Sequence, residues 1–143
     1  VKRRFNRWDI GGKIYIDDYA HHPTELNALT HTLREMFPGK KIFGIFQPHL
    51  YTRTRDFMDK MADSLSRFDE LLLLDIYPAR ELPIEGITSD ELLKKVNLKA
   101  KEVSSLKDAM DKIKTRSFDV IVTAGAGNID TLVKPIKHLL NEN

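Results

Sequence analysis

Leu71-Leu72-Leu73-Leu74-Asp75-Ile76 is apolar at nearly every position, and that pattern decides the fold. A strand with one wet face alternates apolar and polar residues, whereas a parallel strand covered on both faces has no polar side to show. Upstream, Ile42–Phe46 is a second compact apolar strand, with a single glycine; downstream, Val120–Ala124 is a third. The segments between them change to helical spacing. Pro23 suits a first helical turn, where its missing N–H is not needed. Leu26, Leu29, Leu33, Met36 and Phe37 then share one face, until Pro38-Gly39 stops the helix. Thr54 reads as the N-cap of a second helix that buries Phe57, Met58, Met61, Ala62 and Leu65.

A loop from Tyr77 to Thr88 follows the polyleucine strand and holds three charges and Gly86. Thr88-Ser89-Asp90-Glu91 resembles a capping box opening a short helix through Leu93 and Val96. Glu102-Val103 reads as a brief strand. Leu106, Ala109, Met110 and Ile113 form a helical face after Ser104 or Ser105. Gly125-Ala126-Gly127 turns the last strand into a final helix lined by Ile129, Leu132, Val133, Ile136 and Leu140, which Pro135 kinks or splits. At the front, residues 5–10 and 13–17 flank Gly11-Gly12, a hairpin signal. The expectation is one Rossmann-like α/β domain over residues 1–143. Its sheet is mostly parallel, with helices on both faces and an N-terminal β-hairpin.

Composition narrows the functions available. A length of 143 residues suits one domain with a proper core, and 41% hydrophobic with 31% charged residues argues against disorder. A net charge of +2, with bases and acids interleaved, argues against a nucleic-acid partner held through its phosphates. The absence of cysteine removes disulfides and thiolate chemistry and fits a cytoplasmic protein. No apolar run approaches the roughly 18 residues of a membrane span. Val1-Lys2-Arg3-Arg4-Phe5 is basic without an apolar stretch behind it, unlike a secretory signal, and the missing initiator Met points to a piece of a longer protein.

In an open α/β sheet ligands bind outside the carboxyl ends of the strands, so three loops are candidates. The first, Asp17 to Thr24, places two carboxylates, a phenol and two imidazoles before a helix start. It could bind a metal, a ribose or, through protonated histidine and the helix end, a phosphate. The plainer reading has the carboxylates capping backbone amides and one histidine packed inward. The second, Gln47 to Arg55, offers His49, Tyr51, Arg53 and Arg55. An arginine fork grips a carboxylate or phosphate at two points. Extended backbone would send Arg53 and Arg55 to opposite sides, and the plainer reading of either is an ion pair with Asp56 or Asp59. The third, Thr123 to Asn128, carries Gly-x-Gly, which lets a backbone approach an anion or another domain closely. The dinucleotide fingerprint is not completed, since residue 130 is Asp, and a Walker loop is absent. His21 and His22, as neighbours, point in different directions. His31 and His138 read as solvent-facing, and Trp8 as a packing residue.

Asp17-Asp18-Tyr19-Ala20-His21-His22-Pro23-Thr24-Glu25 and Phe46-Gln47-Pro48-His49-Leu50-Tyr51-Thr52-Arg53-Thr54-Arg55 resemble the C-terminal domain of the Mur ligases, in particular their L-alanine-adding branch. Arg3-Arg4-Phe5, Leu74 to Glu81 and Thr123 to Ile129 extend the likeness over nearly the whole chain. The resemblance implies an ATP-dependent, amide-forming ligase of three domains in peptidoglycan synthesis. It phosphorylates the carboxylate of UDP-N-acetylmuramate to an acyl phosphate, which the amine of L-alanine then attacks; Mg²⁺ ligands are expected in the central domain. By that resemblance Arg4 contacts the ATP phosphates and Asp18 the ribose hydroxyls. Tyr19, His21, His49 and Arg53 surround the alanine and the reacting phosphate, with His21 and His49 as catalytic groups and Arg53 on the alanine carboxylate.

One departure is Leu50, where many members have a second arginine. A related ligase that adds a tripeptide in muramate recycling shares the first motif but not the second. A freestanding nucleotide- or amino-acid-binding module and a scaffold domain are the readings from other classes, and the isolated chain is expected to be inactive.

Overall fold

The architecture comes from a computed structural model that describes residues 4–142. The hairpin pairs β1 (Asn6–Ile10) with β2 (Lys13–Asp18) in antiparallel register, Asn6 opposite Asp17. Gly11 and Gly12 turn it at φ 60° and 78°, angles that a Cβ disfavours. Five elements then alternate before the last strand pair closes: α1 (Pro23–Met36), β3 (Ile42–Phe46), α2 (Tyr51–Leu65), β4 (Glu70–Leu74) and α3 (Ser89–Lys95). They are followed by β5 (Lys101–Ser104), α4 (Leu106–Ile113), β6 (Val120–Ala124), a 3-10 turn (Asn128–Leu132) and α5 (Val133–Asn141).

The strand order is β1-β2-β6-β3-β4-β5, and every pairing except β1 with β2 is parallel. The expected mostly parallel sheet with its N-terminal hairpin is what forms. Helix α1 carries the chain past one strand position to β3, and α4 later returns it from the far edge so that β6 fills that position. Ala124 therefore pairs with both Asp18 and Phe46, and the carboxyl ends of β2, β6 and β3 lie side by side.

Each face of the sheet has its own core. Leu26, Leu29 and Leu33 of α1, Met61, Ala62 and Leu65 of α2, and Leu92 of α3 cover Ile16, Phe46, Leu71, Leu73 and Val122. On the other face Ala109 and Ile113 of α4 and Ile136 and Leu140 of α5 cover Tyr15, Phe43, Ile45, Leu72 and Ile121. Burying one such side chain contributes about 1.5–3 kcal/mol, so these two layers dominate stability. The alternation of Leu71 and Leu73 with Leu72 and Leu74 between faces is why the strand reads as uniformly apolar. Gly44 on β3 is required by packing, since a Cβ there would meet the Phe68 ring at 2.6 Å.

Several local expectations are corrected. Helix α2 begins at Tyr51, with Leu50 in the N-cap position, and Thr54 lies one turn inside, donating its hydroxyl to the Leu50 carbonyl at 2.8 Å. Arg53 and Arg55 are consequently helical rather than extended. Met36 is 41% exposed, so the apolar face of α1 passes to Phe37, which is buried. The polyleucine strand runs from Glu70 to Leu74, one residue earlier than expected at its start and two at its end. Thr88 caps α3 by accepting from the Glu91 amide, and Ser105, not Ser104, caps α4. Pro135 does split the last helix: the chain makes a 3-10 turn first, and Pro135 falls in the opening turn of α5, where no N–H is needed.

Candidate functional site

The first loop divides its two carboxylates between opposite roles, because successive residues of a strand face opposite sides. Asp17 is buried and accepts a hydrogen bond from the Thr123 hydroxyl at 2.6 Å, and Thr123 is in turn 2.7 Å from the Tyr15 hydroxyl. It ties β2 to β6. Asp18 is half-buried at the strand end and accepts the amides of Phe5 and Ala20, each at 2.8 Å. Burial outweighs those two bonds and pushes its carboxyl above the usual range. A carboxylate has about four acceptor sites, so Asp18 retains capacity for a ligand. It lines, with Arg4, Tyr19, Glu25 and Thr32, a cleft of about 290 Å³. Arg3, named with Arg4 in the sequence motif, lies outside the described residues.

His21 and His22 diverge as expected. His22 is the N-cap of α1: its Nδ1 accepts from the Thr24 amide, and Glu25 accepts in return from the His22 and His21 amides at 3.0 and 3.2 Å. No sequence rule for caps favours histidine, which is why this capping box was not legible. The His22 ring rests near Phe57. His21 turns to the other side, with its Nδ1 2.9 Å from the Tyr19 carbonyl. A carbonyl only accepts, so Nδ1 carries a proton, and in the neutral ring Nε2 is the acceptor nitrogen.

The second loop is fixed by its neighbours rather than by its own sequence. The bond from Tyr77 N to Pro48 O, at 2.8 Å, and that from Leu50 N to Tyr77 O, at 2.9 Å, hold it against the chain after β4. Leu50 sits at φ 74° and ψ 137°, a backbone that costs a residue with a Cβ about 1–3 kcal/mol. Glu81, thirty residues away in sequence, caps α2. Its Oε1 accepts from the amides of Tyr51 and Thr52 at 2.6 and 3.1 Å, and its Oε2 from the Thr52 hydroxyl at 2.5 Å.

This arrangement assembles a continuous row of side chains. Tyr19 meets the edge of His21 with ring centroids 5.0 Å apart, and His21 meets His49 at 5.5 Å. Tyr77 stacks on His49 with ring centroids 5.6 Å apart and planes 11° from parallel. Arg53, one turn on, donates to His49 Nδ1 at 3.2 Å. Burial first, then repulsion from His21 in its protonated form and from the Arg53 cation, lower the pKa of His49 against an opposing contribution from Glu81. His49 is therefore neutral at neutral pH, with Nδ1 accepting from Arg53 and the proton on Nε2. Arg55 points elsewhere and pairs with Asp56 at 2.9 Å, as the plainer reading had it, while Asp59 pairs with Lys95.

The third loop supports the other two from below. A Cβ on Gly127 would lie 2.5 Å from Gln47 Oε1 and 2.6 Å from Tyr77 Cγ, and Gly125 adopts φ 142° against the Gln47 carbonyl. Buried Gln47 donates to Asn128 at 2.7 Å and accepts from the Ile129 amide at 3.0 Å. Within the chain, the close approach that Gly-x-Gly permits is to Gln47 and Tyr77. All six expected site residues thus fall at one end of the sheet: Tyr19, His21, His49 and Arg53 in the row, Arg4 and Asp18 at the adjoining cleft. Sequence reasoning missed Glu81, Tyr77 and the Gln47–Asn128 pair. Their charges and rings sit in the Tyr77-to-Thr88 loop and near a Gly-x-Gly, but nothing local says what they meet. Among the described residues no group of three histidines or acids is arranged to hold a metal, and no helix is long and apolar enough to cross a membrane.

Comparison with known proteins places this geometry in context. Residues 3–127 match a family model described as "Mur ligase, glutamate ligase domain". The chain is 52% identical to the UDP-N-acetylmuramate–L-alanine ligase of Flavobacterium johnsoniae, over 100% of this chain and 32% of that protein. It is 54% identical to the ligase of the same name from Cytophaga hutchinsonii, over 99% of this chain and 31% of the relative. It thus spans about a third of the length of these relatives. Among solved structures it superposes on a UDP-N-acetylmuramate-alanine ligase of Thermotoga maritima with a TM-score of 0.75 and 26% identity, covering 100% of this chain and 31% of that one. A murein peptide ligase of Psychrobacter arcticus gives a TM-score of 0.77 at 20% identity, covering 99% of this chain and 30% of that one, a likeness of fold.

Proposed function

The chain belongs to the Mur ligase family, and from that premise we propose that it is the C-terminal domain of a cytoplasmic ATP-dependent ligase joining L-alanine to UDP-N-acetylmuramate in peptidoglycan synthesis. The observation that carries the reading is the row Tyr19–His21–His49–Arg53 beside the Arg4–Asp18 cleft. It combines an acceptor nitrogen, a neutral donor and a cation within reach of one small substrate.

The roles follow from those atoms. The Arg53 fork holds the amino-acid carboxylate, and its position one turn into α2 fixes where the amine lies. His21 Nε2 is the acceptor that takes a proton from the attacking amine, and Tyr19 borders it. His49, kept neutral, presents Nε2–H to the oxygen that becomes negative as the acyl phosphate is attacked. Asp18 accepts from the ribose hydroxyls of ATP, and Arg4 pairs with its phosphates. Mg²⁺, held by residues of the ligase outside this chain, would neutralise phosphate charge. In this reading the chain is one wall of an active site that closes on the nucleotide, and residues 1–143 alone release no ADP in response to L-alanine.

The test uses the ligase carrying this chain. Arg53→Ala raises KM for L-alanine more than about tenfold and leaves KM for ATP within about twofold, whereas Asp18→Ala reverses that pattern. Unchanged constants in both variants, or a preference for a peptide over L-alanine in the parent enzyme, would falsify the assignment.

A further inference from the structure

We propose that Glu81 is a positioning residue of this site, a clamp that holds the first turn of α2 and the strained Leu50 peptide and so sets the orientation of His49 and Arg53. The inference rests on the proposed amino-acid site and extends it to a residue that touches no substrate.

Three observations converge on Glu81. One carboxylate satisfies two amides and a hydroxyl of the opening turn of α2, which has no side-chain cap of its own. The residue before that turn, Leu50, has φ 74°, a conformation that persists only where the surroundings over-determine it. The Tyr77 carbonyl takes the Leu50 amide on one side, and the Leu50 carbonyl is taken by the amide and hydroxyl of Thr54 on the other. Glu81 fixes the peptides in between. His49 lies immediately before this point and Arg53 three residues after it, so both side chains that meet at 3.2 Å depend on the same turn.

Charge adds a second coupling. The hydroxyl of Thr52 foremost, with the two amides and Arg55, holds the Glu81 carboxyl below its usual range, so it stays negative at neutral pH. Its charge acts on His49 against those of His21 and Arg53. A glutamate here therefore does what a neutral cap could not: it shapes the turn and also raises the proton affinity of the neighbouring imidazole.

Glu81→Gln and Glu81→Ala in the ligase carrying this chain test the clamp. Glu81→Gln keeps an acceptor for the two amides but removes the charge, and kcat/KM for L-alanine falls about tenfold; Glu81→Ala lowers it about a hundredfold, mostly through KM. In the 143-residue chain, the NMR titration of His49 shifts to lower pH in Glu81→Gln, a change that simple loss of stability does not produce. Glu81→Asp, which keeps the charge, restores part of that shift. If Glu81→Ala does not fold, Glu81→Gln carries the test. Constants within about twofold of the parent, or lost activity with the His49 titration unmoved, overturn the clamp. An Arg53→Ala variant with unchanged KM for L-alanine would instead overturn the amino-acid site beneath it. An Arg53→Ala defect beside unaffected Glu81 variants rejects the clamp alone.

Discussion

Gly127 has no space for even a methyl group, because Gln47 and Tyr77 occupy the volume where its Cβ would be. Both neighbours are themselves committed, Gln47 to Asn128 and Ile129 and Tyr77 to the His49 ring. Gly127→Ala therefore costs about 1–3 kcal/mol of stability by overpacking, and it displaces His49 as well. Urea denaturation reads the first effect, and an unchanged midpoint would contradict the packing described. The adjacent carboxylates make a similar point. Asp17 and Asp18 are chemically identical and one residue apart, yet the pleat buries the first against Thr123 and leaves the second at the cleft. Which of the pair could meet a ligand is a property of strand phase, and the sequence reading considered both together.

At the scale of elements, the helix starts carry the most information about the site. Helix α1 is capped by His22 and Glu25, whose box leaves His21 to turn towards His49. Helix α2 is capped from another loop by Glu81. Only α3 and α4 follow the ordinary serine or threonine rule, through Thr88 and Ser105. Thr88→Ala removes the acceptor for the Glu91 amide and costs about 1 kcal/mol. Since α3 lies on α2 and away from the His21–His49 row, thermal unfolding moves to lower temperature while the His49 titration stays where it was. A shift of that titration would show that α3 and the row are coupled. The two helices at the site depart from the local capping rule, α3 and α4 obey it, and α5, which continues from the 3-10 turn, starts with no side-chain cap.

For the molecule as a whole, the returning crossover decides function. Strand β6 comes last in the chain and lies between β2 and β3, and that placement makes the three loops neighbours. The sheet also separates two cores that share no side chains. Leu33→Ala, on one face, and Ile136→Ala, on the other, each cost about 2–5 kcal/mol. With the sheet between them, the double variant loses the sum to within about 0.5 kcal/mol. A larger departure would mean that the sheet transmits strain from one layer to the other.

What the sequence determined by itself was the set of parts. Apolar strands without alternation, helical faces and a Gly-Gly turn specified a parallel sheet with a hairpin, because those signals arise from periodicities of two and 3.6 residues within one element. The strand-end rule likewise singled out the loops that hold Asp18, His21, His49 and Arg53. Tertiary structure alone decided how those parts meet. It showed that Thr54 is inside α2 and that Glu81 caps it. The glycines of the third loop make room for Gln47 and Tyr77, and Arg53, not Arg55, reaches His49. Each of these is a contact between residues far apart in the chain, or the phase of a helix set by such a contact, and a local pattern carries no record of either.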